Sequence, residues 1–332
     1  DMYARCGFLC KAQEVFDELH MRDVVSWNAL ISGYADHDCG EKSLMCFEHM
    51  QTEGLYPNAI TYVCVLKACS SIRAIEMGQK IHADIEKNGL LQTNLFIGNS
   101  LVDMYAKCRL LSKARGVCEK LRVRDVISYN TLIAGYTEHG HGEEALQCFE
   151  KMQVAGVFPN AITYSCVLKA CGNIGATEKG REVHSEVERR GFLEKDIVLA
   201  TAIVDMYAKC GDLSRAKGVF DMLRERNVVT WTSLISGYAG YGDVDRAFLC
   251  LKHMKQEGLE PDEVIITSIV TACSQNGLLK EGHEYFNLME SFGDGDNTRN
   301  VEHYNGMVDL LTRSGSLEEA SCLLQTMPIS PD

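Results

Sequence analysis

Between residues 197 and 227, apolar side chains recur at Ala200, Ile203, Val204, Tyr207 and Ala208, the i, i+3, i+4, i+7, i+8 spacing of one helix face. After Gly211 and Asp212 a second set, Ala216, Val219, Phe220 and Leu223, follows i, i+3, i+4, i+7, so the segment predicts a helical hairpin. Its two helices differ in kind. The second has a polar face in Ser214, Arg215, Lys217 and Asp221, whereas the first adds Ala202, Met206 and Cys210 and is apolar nearly all round. A helix that is apolar on every side needs cover on every side. First helices are therefore expected inside, and second helices outside.

The pattern returns every 102 residues, as in Cys6, Cys108 and Cys210, in Pro57, Pro159 and Pro261, in Trp27, Tyr129 and Trp231, and in Cys46, Cys148 and Cys250. Each period holds three related segments of 35, 36 and 31 residues, which read 24–58, 59–94 and 95–125, then 126–160, 161–196 and 197–227. The third period reads 228–262, 263–300 and 301–332, its middle segment lengthened by an expected loop insertion, SFGDGDNTRN at 291–300; residues 1–23 are the tail of an earlier short segment. The 35-residue segments end in Gly-x-x-Pro-Asn or Gly-x-x-Pro-Asp, where glycine stops a helix and proline cannot continue it. Hairpins repeated at a fixed period stack into an all-α solenoid with one inner and one outer surface.

One polar line crosses the apolar first helices: Asn99, Asp103 and Lys107 at i, i+4, i+8, repeated as Thr201, Asp205 and Lys209 and as Asn305, Asp309 and Arg313. The 35-residue segments place Asn28, Asn130 and Thr232 at its head, and the middle segments offer Val63 with Lys67, Ser165 with Lys169, and Thr267 with Thr271. Taken singly, an Asp–Lys pair four residues apart is ordinary helix support of a few tenths of a kcal/mol. That account leaves unexplained why the head varies among Asn, Thr and Ser while its neighbours hardly change. Variable polar heads in constant packing suit a surface that reads different ligands along a line, and stacking would join the lines into a polar groove.

The 332 residues are 46% hydrophobic, enough for a substantial core, and no apolar run approaches the roughly 18 residues of a membrane span. No membrane partner is expected. The chain starts inside a repeat with neither a signal nor a transit segment, so its N-terminus is expected to lie further upstream. Most of the 15 cysteines recur with the repeat inside apolar patterns and read as small buried thiols of a reducing compartment rather than disulfides. The net charge of −13 argues against simple electrostatic nucleic-acid binding, so any such function needs a local surface. His184-Ser185-Glu186 matches the H-x-E of zinc deaminases, but no C-x-x-C occurs and His184 repeats His82, which makes it a packing residue. No catalytic set, metal site or cofactor is expected, and the chain reads as a non-enzyme.

The words VVSWNALISGY, YVCVLKAC with GQKIH, and LVDMYAKCG with VFD resemble the P, L and S motifs of the plant pentatricopeptide repeat family, along the whole chain. The resemblance implies a right-handed superhelical solenoid that reads single-stranded RNA at one base per repeat. It implies that the fifth and last residues of each motif face a base: Asn28/Asn58, Asn99/Asp125, Asn130/Asn160, Thr201/Asn227, Thr232/Asp262 and Asn305/Asp332, with Val63/Asn94, Ser165/Asp196 and Thr267/Asn300 reading more weakly. Second residues would sandwich the bases: Val25, Ile60, Phe96, Ile127, Ile162, Val198, Val229 and Val264, while Glu302 departs from this pattern. Arg5, Lys67, Lys107, Lys169 and Lys209 would face phosphates.

Asp only accepts hydrogen bonds and suits bases with a ring N–H, uracil or guanine, while Asn suits cytosine or adenine; Thr or Ser at the fifth position leaves room for a purine. The expected target is 5′-Y-N-U-Y-(G)-A-G-(A)-U-3′, with the parenthesised bases read by the weaker motifs. The resemblance further implies a mitochondrial or chloroplast protein whose array selects sites for C-to-U editing, with accessory editing proteins or a deaminase acting in trans. RNA processing or stabilisation by the same array, and a protein-binding scaffold of the tetratricopeptide kind, are the alternatives.

Overall fold

The computed structural model describes residues 1–193, 196–288 and 301–326, and all regular structure among them is helical. The chain divides into two compact units, Asp1–Ala170 and Cys171–Asp332. In the first, the first helices Met2–Arg5, Val24–Asp36, Ala59–Ser71, Leu95–Lys107 and Val126–Glu138 each pack on the next, with second helices such as Gly40–Thr52 and Gly142–Val154 on one side. In the second, Ile197–Lys209, Val228–Gly240, Glu263–Asn276 and Val301–Arg313 form the same succession. Each unit is thus a stack of helical hairpins, the α-solenoid read from the hydrophobic pattern.

The burial pattern explains the two kinds of helix. In Leu95–Lys107, Leu101, Val102, Met104, Tyr105 and Ala106 are all buried, because the helix meets the first helices before and after it as well as its own second helix. Two glycine contacts set how close neighbours come. A Cβ built on Gly135 would lie 2.7 Å from the Ala106 Cβ, and the same contact joins Gly33 to Ala4 at 2.6 Å and Gly237 to Ala208 at 2.7 Å. Met104 fills the space left by Gly78, and Met206 that left by Gly180, with sulfurs 2.7 and 2.4 Å from where a Cβ would stand.

His82 and His184 are packing residues, their Nδ1 atoms 2.9 and 3.0 Å from the hydroxyls of Tyr105 and Tyr207. Burial holds both below the ordinary histidine pKa, so both are neutral near pH 7. Glu186 turns instead to Arg189 and Arg190, and the described residues hold no cluster of three metal-binding side chains. Eight cysteines are buried; burial pushes the Cys69, Cys148 and Cys171 thiols up to about 12, so they behave as apolar groups. Cys6, Cys10 and Cys322 differ from that reading and are exposed. A short helix, Leu90–Thr93, follows Gly89 and has no signal in the hydrophobic pattern. The expected insertion at 291–300 lies outside the described residues.

Two predictions follow from backbone geometry. Gly135→Ala drives a methyl into Ala106 across the helix stack and should cost about 1–3 kcal/mol in urea unfolding. Arg109 holds a left-handed φ of 61° where the repeat has Gly7 and Gly211 at 80° and 81°. Arg109 is exposed, so Arg109→Gly should raise the unfolding free energy by roughly 0.5–1 kcal/mol, the relief of a non-glycine residue in that region less the added chain entropy.

Candidate nucleic-acid interface

The second residue of each first helix breaks the burial rule. Val25, Ile60, Phe96, Ile127, Ile162, Val198, Val229 and Val264 are all large apolar residues, and all are between 51% and 74% exposed. Packing cannot account for them. A lone exposed valine needs no explanation, but five apolar residues at one register in the first unit and three in the second give each unit an apolar ledge.

Beside the ledge, the fifth and last residues of one and the same segment come together. Asn28 Nδ2 donates to Asn58 Oδ1 at 3.1 Å, Asn130 Nδ2 to Asn160 Oδ1 at 3.1 Å, and Asn99 Nδ2 to Asp125 Oδ1 at 3.3 Å. Thr232 Oγ1 donates to Asp262 Oδ2 at 2.9 Å, and Thr201 reaches Asn227 through the Thr230 hydroxyl, at 3.2 and 2.7 Å. The last residue is also the N-cap of the next helix. Asn58, Asp125, Asn160 and Asn227 accept from the amides of Thr61, Ser128, Thr163 and Thr230 at 2.8–3.0 Å.

The capping hydroxyls are buried and hold the fifth residue in turn. Thr61, Ser128 and Thr163 donate to the Oδ1 atoms of Asn28, Asn99 and Asn130 at 2.6–2.7 Å. These hydroxyls had no place in the sequence reading, although a Ser or Thr three residues after Asn or Asp is a capping signal. The amide or carboxylate at the segment end thus spends one oxygen on the cap. Asn58, Asn160 and Asn227 keep their Nδ2 donors, and Asp125 keeps Oδ2 as an acceptor. Burial acts to raise the Asp125 pKa, but bonds from the Ser128 amide and hydroxyl and from Asn99 outweigh it and hold the carboxyl below its ordinary value.

The other expected readers differ. Asn94 and Asp196 cap their helices, Val63 and Ser165 are half-buried, and the Thr267 hydroxyl is turned to the Glu263 carbonyl at 2.8 Å. Asn305 is exposed; Asn300 and Asp332 lie outside the described residues, as does the Glu302 side chain.

The expected phosphate contacts are already ion-paired in four cases. Arg5 meets Asp1 at 3.1 Å, Lys67 meets Asp36 at 2.6 Å, Lys107 meets Asp103 at 2.9 Å and Lys209 meets Asp205 at 2.8 Å; Lys169 is exposed. Exposed pairs of this kind are worth roughly 0–1 kcal/mol, so a phosphate exchanges with the carboxylate at little cost. In the first unit, a cavity of about 340 Å³ gathers Phe96 and Ile127 with Asn99, Val63, Lys67 and Lys107. A second, of about 430 Å³, places Arg73 and His139 beside Lys67 and Lys107. Neither was singled out from the sequence, though Arg73 has a signal: it occupies a left-handed turn, φ 54°, where later periods have Gly175 and Gly277.

Comparison with known proteins identifies one repeat family along the chain. The PPR repeat family profile matches residues 22–71, 124–173 and 226–274, and the PPR repeat profile matches 99–126, 162–192, 198–228, 264–294 and 302–329. A mitochondrial pentatricopeptide repeat-containing protein of Arabidopsis thaliana is 36% identical over 333 residues, covering 100% of this chain and 48% of that protein. A chloroplastic one from the same plant is 35% identical over 331 residues, covering 100% and 40%. The chain spans about half the length of the curated relatives it matches. Among solved structures, the pentatricopeptide repeat protein PPR10 in complex with an 18-nucleotide psaJ RNA element aligns with a TM-score of 0.73 at 19% identity, over 87% of this chain and 44% of that one.

Because Asp125 Oδ1 serves the cap and Oδ2 remains free, Asp125→Asn should leave stability within about 1 kcal/mol, Asn and Asp being equal caps. It should convert a free acceptor into a donor, which, on the base expected for this pair from the family resemblance, moves the preference from U to C. Since the native carboxyl is held ionised, the U preference should be flat from pH 6 to 8 in filter-binding assays; a preference that falls toward pH 6 refutes the assignment.

Proposed function

The chain belongs to the pentatricopeptide repeat family, and on that premise we propose that it is a sequence-specific binder of single-stranded RNA. The observation that carries the reading is the apolar ledge of each unit beside paired Asn, Asp and Thr side chains. The ledge offers stacking surfaces, and the pairs offer donors or acceptors in a fixed position. RNA bases unstacked from one another present a flat face and a Watson–Crick edge, which these two surfaces fit. The RNA held by PPR10 supports the same use of the fold.

The reading extends to a target of 5′-Y-N-U-Y-(G)-A-G-(A)-U-3′, with Thr201/Asn227 taking A and Thr232/Asp262 taking G. In this proposal the array belongs to the class alternating P, L and S motifs, works in a mitochondrion or chloroplast as its relatives' names indicate, and selects sites for C-to-U editing. The bases are changed by a deaminase that lies outside these residues or acts in trans.

In vitro selection from a random single-stranded RNA pool tests binding directly. The expected motif should emerge, and replacing its A-G step should weaken binding by roughly 1–3 kcal/mol per base. A pool that enriches nothing, or equal affinity after the A-G change, refutes the reading.

A further inference from the structure

The 102-residue period lets one part of the chain define what is missing from another. Counted from residue 1, the periods are 1–102, 103–204 and 205–306. In the first of these the Phe16 and Trp27 rings meet with centroids 4.5 Å apart, Arg22 lies 4.9 Å over the Phe16 ring, and Trp27 Nε1 and Arg22 both bond Glu53, at 3.0 and 3.2 Å. The third period rebuilds that cluster from Phe220, Trp231, Arg226 and Glu257, with rings 4.5 Å apart and bonds to the glutamate of 3.1 and 2.8 Å. The second period keeps only the arginine. There Cys118 replaces the phenylalanine, Tyr129 the tryptophan and Ala155 the glutamate; among the described residues no carboxylate is ion-paired with Arg124, whose side chain is hydrogen-bonded to the Tyr129 hydroxyl instead.

A cavity of about 210 Å³ stands at this place, between the second helices Leu111–Lys120 and Gly142–Val154 and the face of Val126–Glu138 turned toward them. Its floor is buried and largely apolar: Cys118, Tyr129, Leu132, Tyr136 and Cys148. Its rim carries the cations Arg115, Arg124 and Lys151 with Glu119, Glu144 and Gln147, and Glu144 turns to His141 at 3.6 Å. Glu119 is shared by Arg115 at 3.1 Å and Lys151 at 4.0 Å, which leaves Arg124 as the cation without a carboxylate. The Cys148 thiol, raised to about 12 by burial, is neutral, so the floor adds no charge.

We propose that this cavity is a docking site for a segment of a partner protein that inserts an aromatic side chain and sets an adjacent carboxylate against Arg124. The occupant restores the ring and the carboxylate that the first and third periods supply from their own chain. Size favours a side chain over a free ligand, since the volume is below the roughly 300 Å³ at which ordinary small-molecule pockets begin. The site faces the second helices, whereas the ledge and reading pairs lie on the first helices, so both can be filled together.

The test titrates the chain with acetyl-Gly-Trp-Glu-Gly-amide, followed by chemical-shift changes and calorimetry, beside peptides carrying Ala for Trp or Gln for Glu. Saturable binding of the first peptide, at least tenfold tighter than either control, is expected. Arg124→Gln should weaken it about tenfold or more, the loss of a charge-assisted bond. The triple variant Cys118→Phe, Tyr129→Trp, Ala155→Glu rebuilds the sibling cluster and should abolish binding while unfolding in one cooperative step at no lower temperature. Absence of saturation, or undiminished binding by the triple variant, overturns the proposal. Equal binding of indole-3-acetate would assign the cavity to a free aromatic acid, and competition by a single-stranded RNA oligomer would assign it to a base; either result also overturns it.

Discussion

The stack depends on the contact in which Gly33, Gly135 and Gly237 receive Ala4, Ala106 and Ala208. With no side chain on one helix and a single methyl on the other, two first helices approach until their backbones are nearly in contact. That closeness buries Leu101, Val102, Met104 and Tyr105 on several sides at once, and it makes an otherwise all-apolar helix soluble. It also brings the head of one first helix within hydrogen-bonding reach of the cap of the next. At this junction Asn99 meets Asp125 where Ala106 and Gly135 bring their helices together.

In the proposed role, the N-cap joins folding to recognition. A helix start requires a side-chain oxygen at its cap, and this limits the segment-end residue to a short list that includes Asn and Asp. Both satisfy the helix through one oxygen, so the remaining atom can change from donor to acceptor without disturbing the fold. Asn58 and Asp125 hold equivalent caps and present opposite hydrogen-bonding character beyond them. The buried hydroxyls of Thr61 and Ser128 complete the arrangement by fixing the fifth residue's orientation. Preorganisation of this kind lowers the ordering cost of binding.

Periodicity made the helical hairpins and the inside position of the first helices legible from Ala200, Ile203, Val204 and Tyr207 alone, because an apolar pattern on all sides leaves few alternatives. The polar line headed by Asn99 was legible for the same reason, as an exception within that pattern. The capping hydroxyls were not, since Thr61 or Ser128 reads as a helix cap alone until its bond to the fifth residue, Asn28 or Asn99, is known. Ion pairing of Lys67 with Asp36 was equally hidden, because the partners are 31 residues apart and belong to different hairpins. The cavity beside Arg124 lay in the sequence as three substitutions against the period, but only the ring and carboxylate contacts of the sibling clusters give those substitutions a meaning.

In the proposed role, an acidic array that takes up a polyanion has to draw its selectivity from somewhere other than net charge. Lys107 and Lys209 are each held by an aspartate four residues earlier, so a phosphate arriving there replaces one anion by another and gains little. Free lysines would favour every RNA alike through counterion release; paired lysines reduce that indiscriminate term. What remains is the apolar ledge, tolerant of any base, and the cap-anchored pairs, which are not. With the general attraction kept small, differences of one hydrogen bond at Asn58, Asp125 or Asp262 make up a larger share of the binding free energy, and discrimination between related RNAs grows at the expense of affinity for all of them.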